Sequence, residues 1–214
     1  MRAALLFPGQ GSQSVGMGAE WMDSHPCRGW LEVAGRVIGR DFRALCITGP
    51  KEELDKTVYT QPCIYVLSAM LLHNLKEHGV TPVVVAGHSA GEYAALLAAE
   101  VWDFETGLNV IATRARIMYE CGLRRPGGMA AVIGMDGSQV NEICKETYPQ
   151  GEVVVANRNT PTQTVISGDK SCIERICEIL KARGARRAIP LPVSGAFHSP
   201  LLSEGVQEFT EYLK

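Results

Sequence analysis

A chain of 214 residues that is 46% hydrophobic and 21% charged has the composition of a soluble globular protein, one large domain or a domain with a smaller one inserted. Its 21 basic and 23 acidic side chains are mixed along the chain and leave a net charge of −2. That excludes the electrostatic footprint of a nucleic-acid or membrane-surface binder, but not a small anionic substrate held by one or two cations.

Seven cysteines at irregular spacing, with no C-x-x-C, argue against a disulfide framework or metal site and for reduced thiols in the cytoplasm. The apolar start of the chain is too short for a signal peptide or a membrane span. Ala3–Phe7 reads instead as a buried strand stopped by Pro8-Gly9. Helices are expected near 27–38 and 50–57. Ile64–Lys76 is apolar nearly all round and predicts a buried helix ending before Gly79. Pro82–Ala86 is a β-branched run, expected to be a strand buried on both faces. The turn Gly87–Gly91 leads into a helix over Tyr93–Ala99. Asp103 can cap a helix that runs to Cys121 and stops at Gly122, and Leu123–Gly128 reads as a hinge. Beyond it, strands at 129–134, 153–156, 163–167 and 188–193 alternate with helices at 138–147 and 170–183. That order is βαββαβ, the ferredoxin-like pattern, whereas the strand–helix alternation before it suggests a parallel sheet.

The strongest chemical signal is Gly87-His88-Ser89-Ala90-Gly91, a G-x-S-x-G between a predicted strand and a predicted helix. A serine on so tight a turn is strained, and side chains in place of the flanking glycines would clash with neighbouring elements. The Ala90 amide then lies at a helix N-terminus, where it can donate to a developing oxyanion. A purely structural turn with a capping serine is the alternative. Among the five histidines, His25, His73 and His78 have no partner motif. His88 adjoins Ser89, but successive residues at such a turn point apart. His198 lies in a loop after a predicted strand and is the expected general base, with His88 the next candidate. In Pro8–Gln13, Gly9 and Gly11 would let the backbone approach a ligand, and the Gln10 amide could be a second oxyanion donor; a plain tight turn is the alternative. On the helix after Asp103, Arg114 shares the face of Val110 and Ile117, and Arg116 falls about 200° round. An arginine on a buried face needs an anionic partner, from the protein or from a substrate; the default is a structural ion pair, with Glu92 or Glu120 as the protein carboxylate.

FPGQGSQ at 7–13, TQP at 60–62, GHSAGEYAAL at 87–96, R-x-R-x-M at 114–118, GGMAAVIG at 127–134, VANRNTPTQTVISG at 154–167 and LPVSGAFHSPL at 191–201 together resemble the malonyl-CoA:acyl carrier protein transacylases. They are similar too to the acyltransferase domains of polyketide synthases. The resemblance implies an α/β-hydrolase-like large subdomain, residues 1–124 and 199–214, with an inserted ferredoxin-like subdomain over 125–198. It implies malonyl transfer from malonyl-CoA to acyl carrier protein through a seryl ester, with no cofactor. Ser89 would be the nucleophile and His198 its base, with the Gln10 and Ala90 amides as the oxyanion hole. Arg114 would pair with the malonyl carboxylate, and Gln61, His88 and Phe197 would line the pocket. Phe197 leaves little room for an α-methyl branch and so resembles malonyl-selective members. Family members continue beyond the equivalent of Lys214, adding a strand and helices and a carbonyl that orients the histidine. A non-catalytic module that binds carrier protein is therefore an open alternative. A general serine hydrolase is disfavoured, because no acidic triad member is evident between Ser89 and His198.

Overall fold

The computed structural model describes residues 2–24, 26–193 and 195–214 and divides into two compact units, 1–116 and 117–214. His25 lies outside the described residues. No described helix is long and apolar enough to cross a membrane.

In the first unit, β1 (Arg2–Phe7) pairs in parallel with β2 (Thr81–Gly87), Leu6 opposite Ala86 and Phe7 opposite Gly87. Between them lie α1 (Cys27–Ile38), α2 (Phe42–Ile47), α3 (Lys51–Leu54) and α4 (Thr57–Glu77). α5 (Gly91–Ala98) follows β2 directly, and α6 (Phe104–Arg124) begins in this unit. Phe7, Phe42, Tyr65, Met70, Leu108 and Ile111 are among the residues of one apolar core.

Several expectations are corrected here. α2 was not foreseen; Asp41 caps it by accepting from the Ala44 N–H at 2.9 Å. The helix expected at 50–57 is only the single turn α3, and α4 begins at Thr57, well before Ile64. It runs through Pro62, because Thr60, Gln61, Pro62 and Cys63 are all buried and tertiary packing outweighs the one backbone bond a proline removes. β2 is not buried on both faces: Val83 is 51% and Val84 59% exposed, and Leu6 on β1 is 81% exposed. α6 does not stop at Gly122 and leaves no long hinge, since β3 starts at Gly127.

The second unit takes in the end of α6, then β3 (Gly127–Ile133), α7 (Gly137–Thr147), β4 (Val153–Thr160), β5 (Gln163–Asp169), α8 (Lys170–Ala182) and β6 (Arg187–Pro190). The four strands form one antiparallel sheet in the order β4-β5-β3-β6, the ferredoxin-like arrangement. Val132, Ile166, Ile176 and Leu180 are fully buried between the sheet and its helices. A 3-10 turn at Pro200–Leu202 leads into α9 (Ser203–Tyr212), and both group with this unit. All seven cysteines are free thiols.

Candidate functional site

In the first unit, three chain segments meet at the end of the parallel sheet. β2 delivers Gly87, the chain turns through His88-Ser89-Ala90, and α5 starts at Gly91. Ser89 has φ of 51°, a left-handed conformation that costs a serine about 1–2 kcal/mol. The fold imposes it by close approach on both sides. A Cβ at Gly87 would lie 2.1 Å from the Gly91 carbonyl carbon, and one at Gly91 would lie 2.2 Å from the Phe7 carbonyl oxygen. The His88 N–H donates to the Phe7 carbonyl at 3.0 Å, which ties the turn to the end of β1.

The loop after β1 packs on the same turn. A Cβ on Gly9 would meet the His88 carbonyl oxygen at 2.4 Å, so Gly9 is glycine to admit His88 rather than a ligand. Gly11 has φ of 107°, and its N–H donates to the Gln13 side chain at 2.7 Å; its role is the turn itself. Gln13 donates in turn to Asp55 at 2.9 Å, and the Gln10 side chain donates to Thr57 Oγ1 at 3.1 Å. The loop is thereby latched to α4 and the turn before it. Among the described residues, the main-chain N–H groups of Gln10 and Ala90 donate to no protein acceptor.

Arg114 reaches this turn from α6. Val110 and Ile117 on its face are buried and Arg116 is exposed, as the helical spacing predicts. Its Nη1 donates to Gln61 Oε1 at 2.6 Å and its Nη2 to Ser89 Oγ at 3.2 Å, while its guanidinium carbon lies 5.5 Å from the centre of the Tyr93 ring. The expected carboxylate partner is a correction: among the described residues of this unit no ion pair forms to Arg114. Glu92 acts on it only through its field. Burial lowers the guanidinium from its ordinary pKa, against the smaller opposing influence of Tyr93 and Glu92. Gln61 is 2% exposed. Tyr93 was missed in the sequence, although it stands four residues after Ser89 in the quoted motif; nothing in its spacing said it would lie under an arginine.

In the second unit, His198 also has positive φ, at 60°, in an exposed turn. Ser199 Oγ donates to the Ala196 carbonyl at 2.7 Å and accepts from the Leu201 N–H at 3.3 Å, fastening that turn to the start of the 3-10 segment. Phe197 is buried with Met129 and Val165 on one face of the sheet. His73 and His78 lie on or beside α4.

An elbow serine with two unspent amides and a buried cation beside it is an arrangement for acyl chemistry. The family described as acyl transferase domain matches residues 4–213. The chain belongs to the acyl transferase family. This acyl transferase is 42% identical over 210 residues to the polyketide biosynthesis malonyl CoA-acyl carrier protein transacylase PksC of Bacillus subtilis, a match that covers 97% of this chain and 71% of that one. It is 42% identical to the malonyl CoA-acyl carrier protein transacylase of Escherichia coli K12, covering 93% of this chain and 65% of that one. Among solved structures, the acyl-carrier-protein S-malonyltransferase of Burkholderia pseudomallei 1710b superposes with a TM-score of 0.91 at 42% identity, covering 100% of this chain and 70% of that one. A malonyl-transacylase in complex with its type II PKS acyl-carrier protein superposes with the same score at 38% identity, covering 98% of this chain and 69% of that one.

Proposed function

We propose that this acyl transferase moves a malonyl group from malonyl-CoA to the phosphopantetheine thiol of an acyl carrier protein, in fatty acid or polyketide synthesis. The observation that carries the reading is Arg114, a largely buried guanidinium whose partners among the described residues of its unit are neutral, held 3.2 Å from the hydroxyl of a strained elbow serine. A bidentate guanidinium–carboxylate pair is the natural complement of a malonyl group. The names of the similar transacylases agree with it.

In this reading Ser89 Oγ attacks the thioester carbonyl and passes its proton to His198. The carbonyl oxygen becomes an oxyanion facing the Gln10 and Ala90 amides. Collapse breaks the C–S bond, and coenzyme A leaves with the proton from His198. The carrier thiol then gives its proton to His198 and attacks the seryl ester; the ester C–O bond breaks and Ser89 Oγ leaves with that proton from His198. Gln61 and Arg114 hold the carboxylate, and Phe197 and His88 line the acyl site. The chemistry is complete with the two thiols and the enzyme's own groups, so it calls for no cofactor; a cytoplasmic location belongs to the same proposal. The family subdomain boundaries, 1–124 with 199–214 around 125–198, belong to the same proposal.

Intact-protein mass after mixing with malonyl-CoA tests it. The wild type should gain one malonyl group, and Ser89→Ala none. A Ser89→Ala protein that still gains the malonyl mass sinks the assignment. Adding holo-carrier protein should clear the ester by transfer; clearance by water at the same rate would make the enzyme a hydrolase.

A further inference from the structure

We propose that Tyr93 is a positioning residue for acyl selection: the face of its ring fixes the plane of the Arg114 guanidinium so that its fork receives a carboxylate. This rests on the transfer reading above.

The geometry is a platform. Tyr93 lies under Arg114, 5.5 Å from ring centre to guanidinium carbon, and stacks on Trp102 with ring centres 5.9 Å apart and planes 20° from parallel. Trp102 is seated against Gly107, where a Cβ would lie 2.5 Å from the indole Nε1. Gly107 and Arg114 are seven residues apart on α6, two turns and so nearly the same face. The helix that carries the arginine thus also fastens the ring stack that holds it.

The choice of partners matters as much as the placement. A protein carboxylate on Arg114 would neutralise it and occupy its fork. Gln61 Oε1, Ser89 Oγ and an aromatic face instead stabilise a desolvated cation without cancelling its charge. The amide and hydroxyl approach the edge of the guanidinium, and an incoming carboxylate can take that edge. The Tyr93 ring lies beneath the guanidinium carbon and is not one of its hydrogen-bond acceptors, so it is expected to stay in place when the carboxylate arrives.

Two substitutions and two readouts test this. Tyr93→Phe keeps the ring and should keep the ratio of malonyl to acetyl transfer. Tyr93→Leu should lower that ratio by about 5- to 30-fold, with acetyl transfer much less affected. Equal losses for both acyl groups, or a Tyr93→Phe ratio as low as that of Tyr93→Leu, would overturn the proposal. The Arg114 Nε–H resonance in 15N-labelled protein, assigned by its loss in Arg114→Lys, reports the stack without any substrate. Ring current should shift it upfield in the wild type and in Tyr93→Phe, and release it in Tyr93→Leu. A resonance indifferent to Tyr93→Leu refutes the platform even where transfer stands. A resonance that moves, in a protein that takes no acyl group, upholds the platform and defeats the transfer reading instead.

Discussion

Arg114 is the residue whose surroundings say most. Burying a guanidinium is unfavourable, and a fold that wanted only stability would set a carboxylate against it. The proposed substrate supplies that carboxylate, which makes a sharp prediction. Arg114→Ala should weaken malonyl transfer and relatively favour acetyl-CoA. Cutting one partner from a desolvated charged pair costs roughly 2–5 kcal/mol, so selectivity should fall tens-fold or more. Arg116→Ala, on the exposed side of the same helix, should change little. Rates with both thioesters on both variants check it, and equal losses after Arg114→Ala would remove the substrate role. The inward direction of Arg114 was legible from its spacing with Val110 and Ile117. Its neutral partners were not, because helical periodicity tells which way a side chain points and not what it meets there. Ser89 was legible for a steric reason: only glycines at 87 and 91 allow the backbone to close on itself so tightly.

At the scale of elements, the errors share one cause. Gly122 was read as a boundary because a glycine weakens a helix locally, and the helix before Gly79 was read only from Ile64, yet α6 runs through Gly122 and α4 through Pro62. The cost of a glycine inside a helix is about 1 kcal/mol, less than the burial of a long helix returns. Gly107 shows the converse, a helical glycine required by packing. Its Cβ would lie 2.2 Å from the Tyr65 hydroxyl, which donates to the Phe104 carbonyl at 3.1 Å, as well as 2.5 Å from Trp102. In Gly107→Ala, the helix gains about 1 kcal/mol in propensity. Overpacking of buried rings costs about 1–3 kcal/mol, and the displaced Tyr65 hydrogen bond about 1 kcal/mol more. The sum predicts a net destabilisation of roughly 1–3 kcal/mol, measurable as a lower urea midpoint. A midpoint that rises would mean that the ring stack gives way easily.

For the whole molecule, the βαββαβ order was readable because each strand and helix carried its own period, and the resulting sheet order followed. The apolar run in β2 misled, because a run states a preference for burial without naming the element that provides it. The cysteine reading has a simple check. Cys172 is the partly exposed thiol, the other six are buried, and burial pushes the Cys144 thiol up to about 11. A native protein should react quickly with one equivalent of a thiol reagent and with the rest only after unfolding; several fast thiols would mean a looser core. The exposed side chains of the parallel sheet, Leu6, Val83 and Val84, have a further consequence at the bench. Sulfate is excluded from protein surfaces and raises the cost of wetting apolar area. The protein should therefore salt out at unusually low ammonium sulfate. Replacing Leu6 and Val84 together with lysine should move the precipitation point upward while leaving the melting temperature nearly where it was.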